Sequence, residues 1–139
     1  MSTKLHKSRL SLALALLICF TATAVKVTLA QKQVKITGTF SDMHFVKEPG
    51  DLLGTEIKIV FAGGSYQGVL QFAEGGPSEL VIVKIQKDGN KISFSISDDN
   101  PYAGEFQGSV SSEALQGEFR FKSGGTEKVT LHRGKSYWD

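Results

Sequence analysis

From Gln33 onward, apolar residues recur at every second position, which is the period of a strand with one buried and one solvated face. Val34, Ile36 and Phe40 share a parity with Gly38 between them, and Lys35, Thr37 and Thr39 take the other face. Seven more stretches follow the rule. Ile57, Ile59 and Phe61 alternate with Glu56, Lys58 and Val60, and Tyr66, Gly68, Leu70 and Phe72 alternate with Gln67, Val69 and Gln71. Val81, Val83 and Ile85 lie opposite Leu80, Ile82 and Lys84, while Ile92, Phe94 and Ile96 lie opposite Lys91, Ser93, Ser95 and Ser97. Phe106, Gly108 and Val110 form a sixth stretch, Leu115, Gly117, Phe119 and Phe121 a seventh, and Val129 and Leu131, flanked by Lys128, Thr130 and His132, an eighth. The pattern predicts eight strands and no long helix. Only Glu48 to Thr55 has room for a helical turn, and Pro49 and Gly50 oppose a longer one.

The links between these stretches choose among all-β architectures. Gly63-Gly64, Asp88-Gly89 and Gly124-Gly125 accept positive φ and suit tight hairpins, and Ser111 to Ala114 is a short polar link of the same kind. Only the segment from Ser41 to Thr55 is long. Sequential hairpins without a long crossover give an antiparallel meander, and eight twisted strands that are apolar on one face bury that face by closing on themselves. The expected fold is therefore all-β: a small eight-stranded antiparallel up-and-down β-barrel. The alternative is a two-sheet β-sandwich, which shares the alternation but requires Greek-key crossovers.

Gly38, Gly68, Gly108 and Gly117 all fall on the buried parity. Each weakens a strand by roughly 0.5–1 kcal/mol relative to alanine, so four on one face require a reason. Two readings are open: inward glycines relieve crowding where a narrow barrel coils, or they leave a cavity. Because the other inward positions are apolar apart from the Tyr66 hydroxyl, an interior ligand would be a hydrophobic small molecule.

The first thirty residues read differently. Lys4, Lys7 and Arg9 precede an unbroken apolar run from Leu10 to Phe20, followed by small residues. This is the plan of a secretory signal peptide over residues 1–24, with cleavage after Ala24 or Ala30 and a single β-barrel domain over 31–139. The run is too short for a membrane span, which needs about 20 residues. The expected localisation is secreted or periplasmic. Cys19 lies inside the apolar run, so the mature chain has no cysteine for disulfides, thiol catalysis or zinc. The chain's net charge of +2 belongs to the same segment: without Lys4, Lys7 and Arg9 it becomes −1, and without Lys26 also −2. A near-neutral chain lacks the clustered cations that nucleic-acid binding needs.

Candidate chemistry concentrates at one end. In a meander the long segment SDMHFVKEPGDLLGT and the links AEGGPSE and SDDNPYAGE emerge together, and the other end carries tight turns. This acidic rim offers Asp42, His44, Phe45, Asp98, Asp99 and Tyr102 as ligand or partner residues, with Trp138 of the C-terminal RGKSYWD as a further aromatic. Asp98, Asp99 and Asn100 carry oxygens of the kind calcium takes, although an Asx turn uses the same residues. His44, His132 and Asp42 would make a metal site if barrel closure brought them together. No spacing such as H-E-x-x-H and no G-x-S-x-G elbow is present, so no catalytic residues and no cofactors are expected.

From Gln33 to Gly134 the hairpin plan resembles the shape shared by lipocalin-like and avidin-like barrels. The resemblance is architectural. Where lipocalins carry G-x-W the chain reads TGTF, and no binding residue carries over. The expected function is that of a non-enzymatic exported binding or accessory module, a monomer presenting its acidic rim to a protein partner or small ligand. The alternatives are a carrier of a hydrophobic molecule in the barrel interior and an envelope enzyme using His44 and Asp42.

Overall fold

The computed structural model describes residues 33–139; the signal peptide expected over residues 1–24 lies outside the described residues. Nine strands run in order: β1 (Gly38–Ser41), β2 (His44–Val46), β3 (Asp51–Ala62), β4 (Ser65–Gly75), β5 (Val81–Asp88), β6 (Lys91–Ile96), β7 (Gly104–Val110), β8 (Ala114–Phe121) and β9 (Thr126–Gly134). All neighbours are antiparallel, from β3 through to β9. β1 closes the ring by pairing with both β9 and β3. The result is a closed eight-stranded antiparallel barrel with β2 as an extra strand on β3, and no helix occurs among the described residues. A closed ring excludes the two-sheet sandwich.

The expected strands are present, with adjustments that the packing explains. Val34 and Ile36 precede the first strand, yet Ile36 is buried and Val34 packs on the core, so their apolar spacing reflects burial without ladder pairing. The long segment after Ser41 holds a hairpin where a loop or helical turn was expected. His44, Phe45 and Val46 pair with Leu53, Leu52 and Asp51 across a turn at Lys47 to Gly50, and beneath it Met43, Leu52 and Ala73 form a small core of their own. The turn expected at Asp88-Gly89 is one residue later, because Asp88 pairs with Lys91.

Inward positions fill the barrel. Phe40, Ile57, Leu70, Phe106 and Leu131 are fully buried. Phe94 stacks on Phe106 at 4.9 Å, Phe106 meets Phe119 at 4.7 Å, and Phe72 meets Phe119 at 5.3 Å. Burying each such ring contributes about 1.5–3 kcal/mol relative to exposure. Gly108 and Gly117 face each other across β7 and β8, and the Phe106 ring lies over the pair. These two inward glycines therefore make room for the Phe106 ring.

At the end opposite the rim an inward position carries a charge. Arg133 continues the parity of Val129 and Leu131 and closes the end opposite the rim, its guanidinium 4.4 Å above the Phe40 ring. Nη1 donates to the Thr37 carbonyl at 2.9 Å, and Nη2 donates to the Lys35 carbonyl at 2.6 Å and the Ser111 carbonyl at 3.1 Å. This arginine ties the segment before β1 across the barrel bottom. Gly38 leaves the space it fills, since a Cβ there would sit 2.6 Å from Nη1.

Candidate functional site

The rim is built by the β1–β3 connection with β2, and by the turns β4–β5, β6–β7 and β8–β9. Asp42 follows β1 and is held by the backbone of β3: its N–H donates to the Thr55 carbonyl at 3.1 Å and its Oδ1 accepts the Thr55 N–H at 2.6 Å. Gly54 permits this approach, with φ of 111° and an absent Cβ that would lie 2.7 Å from Asp42 Oδ1. His44 Nδ1–H donates to the Asp42 carbonyl at 2.9 Å, which leaves Nε2 as the free ring nitrogen. Phe45, on the adjacent position of β2, is 55% exposed.

The β6–β7 turn is internally satisfied. Asn100 Oδ1 accepts the Tyr102 N–H at 2.9 Å, its own N–H donates to the Ser97 carbonyl at 3.1 Å, and Asp98 forms a 2.5 Å ion pair with Lys122. Asp99 is exposed. The turn thus has the hydrogen bonding of an Asx turn. Tyr102 stacks on Phe72 at 4.3 Å, joining the rim to the core.

At the mouth, parity brings together side chains that the chain separates. Glu74 ends the inward series of β4, and Glu127 opens that of β9, facing Phe119 across the ladder. Partial burial raises the Glu127 pKa above the usual carboxylate value, and the charges of Asp42 and Glu74 raise it further. Burial also raises the Tyr102 pKa, reinforced by the Glu74 carboxylate beside its hydroxyl. Among the described residues the ion pairs are Arg120–Glu118 and Lys122–Asp98, and neither reaches these three acids.

Other expected site residues lie elsewhere. Trp138 sits on the outer wall, with Nε1–H donating to Gln71 Oε1 at 2.9 Å. The tail that carries it is tied to Glu56, whose carboxylate accepts Ser136 Oγ–H at 2.6 Å and the Tyr137 N–H at 2.8 Å. His132 points outward on β9, opposite Ser41 and Ala114. Among the described residues no three His, Cys, Asp or Glu side chains are grouped to hold a metal, so His44, His132 and Asp42 do not form that site. Glu127 and Glu56 were not singled out from the sequence. Extending the Val129 and Leu131 alternation by one step finds Glu127; no local signal marks Glu56, which the tail covers.

The fold and its rim define a closed antiparallel β-barrel with a carboxylate-lined mouth. Comparison of the chain with models of protein families, with curated proteins and with solved structures finds no match.

Proposed function

We propose that this protein is an exported, non-enzymatic binding module that presents its acidic rim to a partner or ligand bearing positive charge. The observation carrying this reading is that Asp42, Glu74 and Glu127 share the mouth and neither ion pair among the described residues involves them, so the charges of Asp42 and Glu74 add to burial in raising the Glu127 pKa. A cation placed there relieves that repulsion. The exposed Phe45 and Leu53 beside it supply apolar contact. Binding at the rim is also favoured over carriage inside, because rings of Phe40, Phe106 and Phe119 occupy the interior. Export rests on the cationic start and apolar run of the first twenty residues.

The test titrates 15N-labelled mature protein with octalysine, octaglutamate and a neutral Gly-Ser peptide. Octalysine is expected to shift the amides of Asp42, Glu74 and Glu127, to bind more weakly as salt rises, and to lose at least about fivefold in affinity in Glu74→Gln/Glu127→Gln. Equal response to all three peptides, or octalysine shifts centred away from the mouth, overturns the proposal. A fusion of residues 1–30 to a reporter active only outside the cytoplasm tests export separately.

A further inference from the structure

The end of the barrel opposite the rim carries a second charged inward position besides Arg133. Lys87 lies directly across the ladder from Ile92, which is 3% exposed and belongs to the core, so the two side chains project to the same, inner face. Lys87 continues the buried series of Val83 and Ile85, and it is half-buried where its neighbours Gln86 and Asp88 are exposed. Tyr66, across from Ile85, opens the inward series of β4, with its ring 4.9 Å from that of Phe61. A pocket of about 300 Å3 lies here, lined by Lys87 and Tyr66 and by the run from Gln33 to Thr37 that leads into β1. That run makes no ladder pairs of its own. Arg133 holds it through donations to the carbonyls of Lys35 and Thr37, so this wall is in place before anything enters the pocket.

The charges around the pocket are of one sign. Lys35 and Lys87 are its charged lining residues, and neither ion pair among the described residues uses them. Two carboxylates belong to the same end of the barrel, Asp88 and Glu113. Asp88 stands on the outer face across from Lys91, Glu113 is exposed in the β7–β8 turn, and neither lines the pocket. An ammonium drawn half out of water toward a core face is stabilised by a counter-charge. The Tyr66 hydroxyl can donate to the same anion, while Val34 and Ile36 add aliphatic surface. The volume is at the small end of the range for ligand pockets, so a ligand that fills it is short.

We propose that this pocket binds a small organic carboxylate, with its anionic group between Lys87 and the Tyr66 hydroxyl and its aliphatic body against Val34 and Ile36. The site is at the far end of the barrel from the acidic rim and outside the packed interior. It therefore does not depend on what the rim binds.

Titration of the 15N-labelled mature protein with octanoate, acetate, octanol and octyltrimethylammonium tests it. Octanoate is expected to shift the amides of Val34, Ile36, Tyr66 and Lys87 saturably and to leave those of Asp42, Glu74 and Glu127 in place. Acetate, which lacks the aliphatic body, and octanol, which lacks the charge, are each expected to bind there at least about fivefold more weakly. The ammonium probe is expected not to bind there. Lys87→Met keeps the aliphatic stem and removes the charge, and is expected to weaken octanoate by at least about fivefold with an unchanged circular dichroism spectrum. Lys87→Arg, which keeps the charge, should stay within about twofold of the parent, and Tyr66→Phe should lose about threefold. The map on the unaltered protein locates the site without any variant. Absence of saturable shifts, shifts centred at the rim or on the outer wall, equal binding of octanol, or unchanged affinity in Lys87→Met each overturns the proposal.

Discussion

Gly117→Ala tests the packing that closes the barrel. Gly117 lies opposite Gly108 in the β7–β8 ladder, and a Cβ built on it runs into Phe106 Cζ, the Gln107 carbonyl oxygen at 2.5 Å and Gly108 Cα at 2.8 Å. Two of these three are backbone atoms of a paired strand, so they move only if β7 moves. Phe106 is fully buried and stacked on Phe94, so its ring has little room to retreat. Overpacking of this kind costs about 3 kcal/mol, toward the upper end of the usual range. Alanine returns about 0.7 kcal/mol by restricting the unfolded chain. The net loss is roughly 2 kcal/mol, which lowers a urea midpoint by about 1.5 M for a slope near 1.4 kcal/mol per M. Gly68→Ala is the control. There a Cβ meets Ile57 Cδ1 and Val83 Cγ2 at 2.9 Å and Ile85 Cδ1 at 3.2 Å, all side-chain methyls and none of them backbone, so the net loss is expected to be smaller, about 1 kcal/mol. Urea unfolding followed by circular dichroism reads both, and Phe106→Leu should recover part of the Gly117→Ala loss through coupling of contacting sites. A Gly117→Ala midpoint within about 0.3 M of the parent, or a larger loss at Gly68, refutes the assigned close approach of β7 and β8.

Three further outcomes follow from the polar contacts. Arg133→Met keeps much of the apolar stem but removes three donations to carbonyls, and is expected to cost about 2 kcal/mol and to speed proteolysis near Lys35; unchanged stability would show that the tie across the bottom is idle. Glu56→Ala removes the acceptor of Ser136 and Tyr137, so Trp138 emission should shift red and acrylamide quenching rise, with a stability loss of about 1.5–3 kcal/mol; identical quenching would mean the tail is free already. Glu127 binds its proton more tightly in the folded than in the unfolded chain, so it lowers stability as pH rises from the ordinary carboxylate pKa through its raised folded value. Glu127→Gln should therefore flatten thermal stability against pH across that window and leave stability above it equal or higher, by a small amount because solvent screens the group; a steeper pH dependence contradicts the assignment.

Much of the barrel is legible from local pattern. Alternation in stretches such as Lys91 to Ser97 identifies a strand because each residue's face follows from its parity alone, and Gly63-Gly64 marks a turn because few other residues take positive φ. The hairpin at His44–Leu53 was harder to see, since its apolar residues serve the small core of Met43, Leu52 and Ala73 and not the barrel interior. The rim was legible as a set of loops, but an acid at its mouth comes from a strand end: Glu127 belongs to the Val129 and Leu131 series, where a charge at an inward position breaks the apolar alternation that marks the face.

The sequence by itself determined the strands, their inner and outer faces and the order of hairpins, because these depend on neighbours one or two positions apart. Tertiary structure decided what depends on closure. It set the shear that puts Ser41 opposite both Glu56 and His132, the reach of Arg133 to carbonyls of the segment before β1, and the burial of Glu56 beneath a tail 80 residues farther along the chain. It also decided where the β5–β6 ladder stops, beyond Gln86 and Ser93. Parity assigns a side chain to a face, but the distance between two strands is set by how the whole ring coils around its filled interior, and no single strand carries that information.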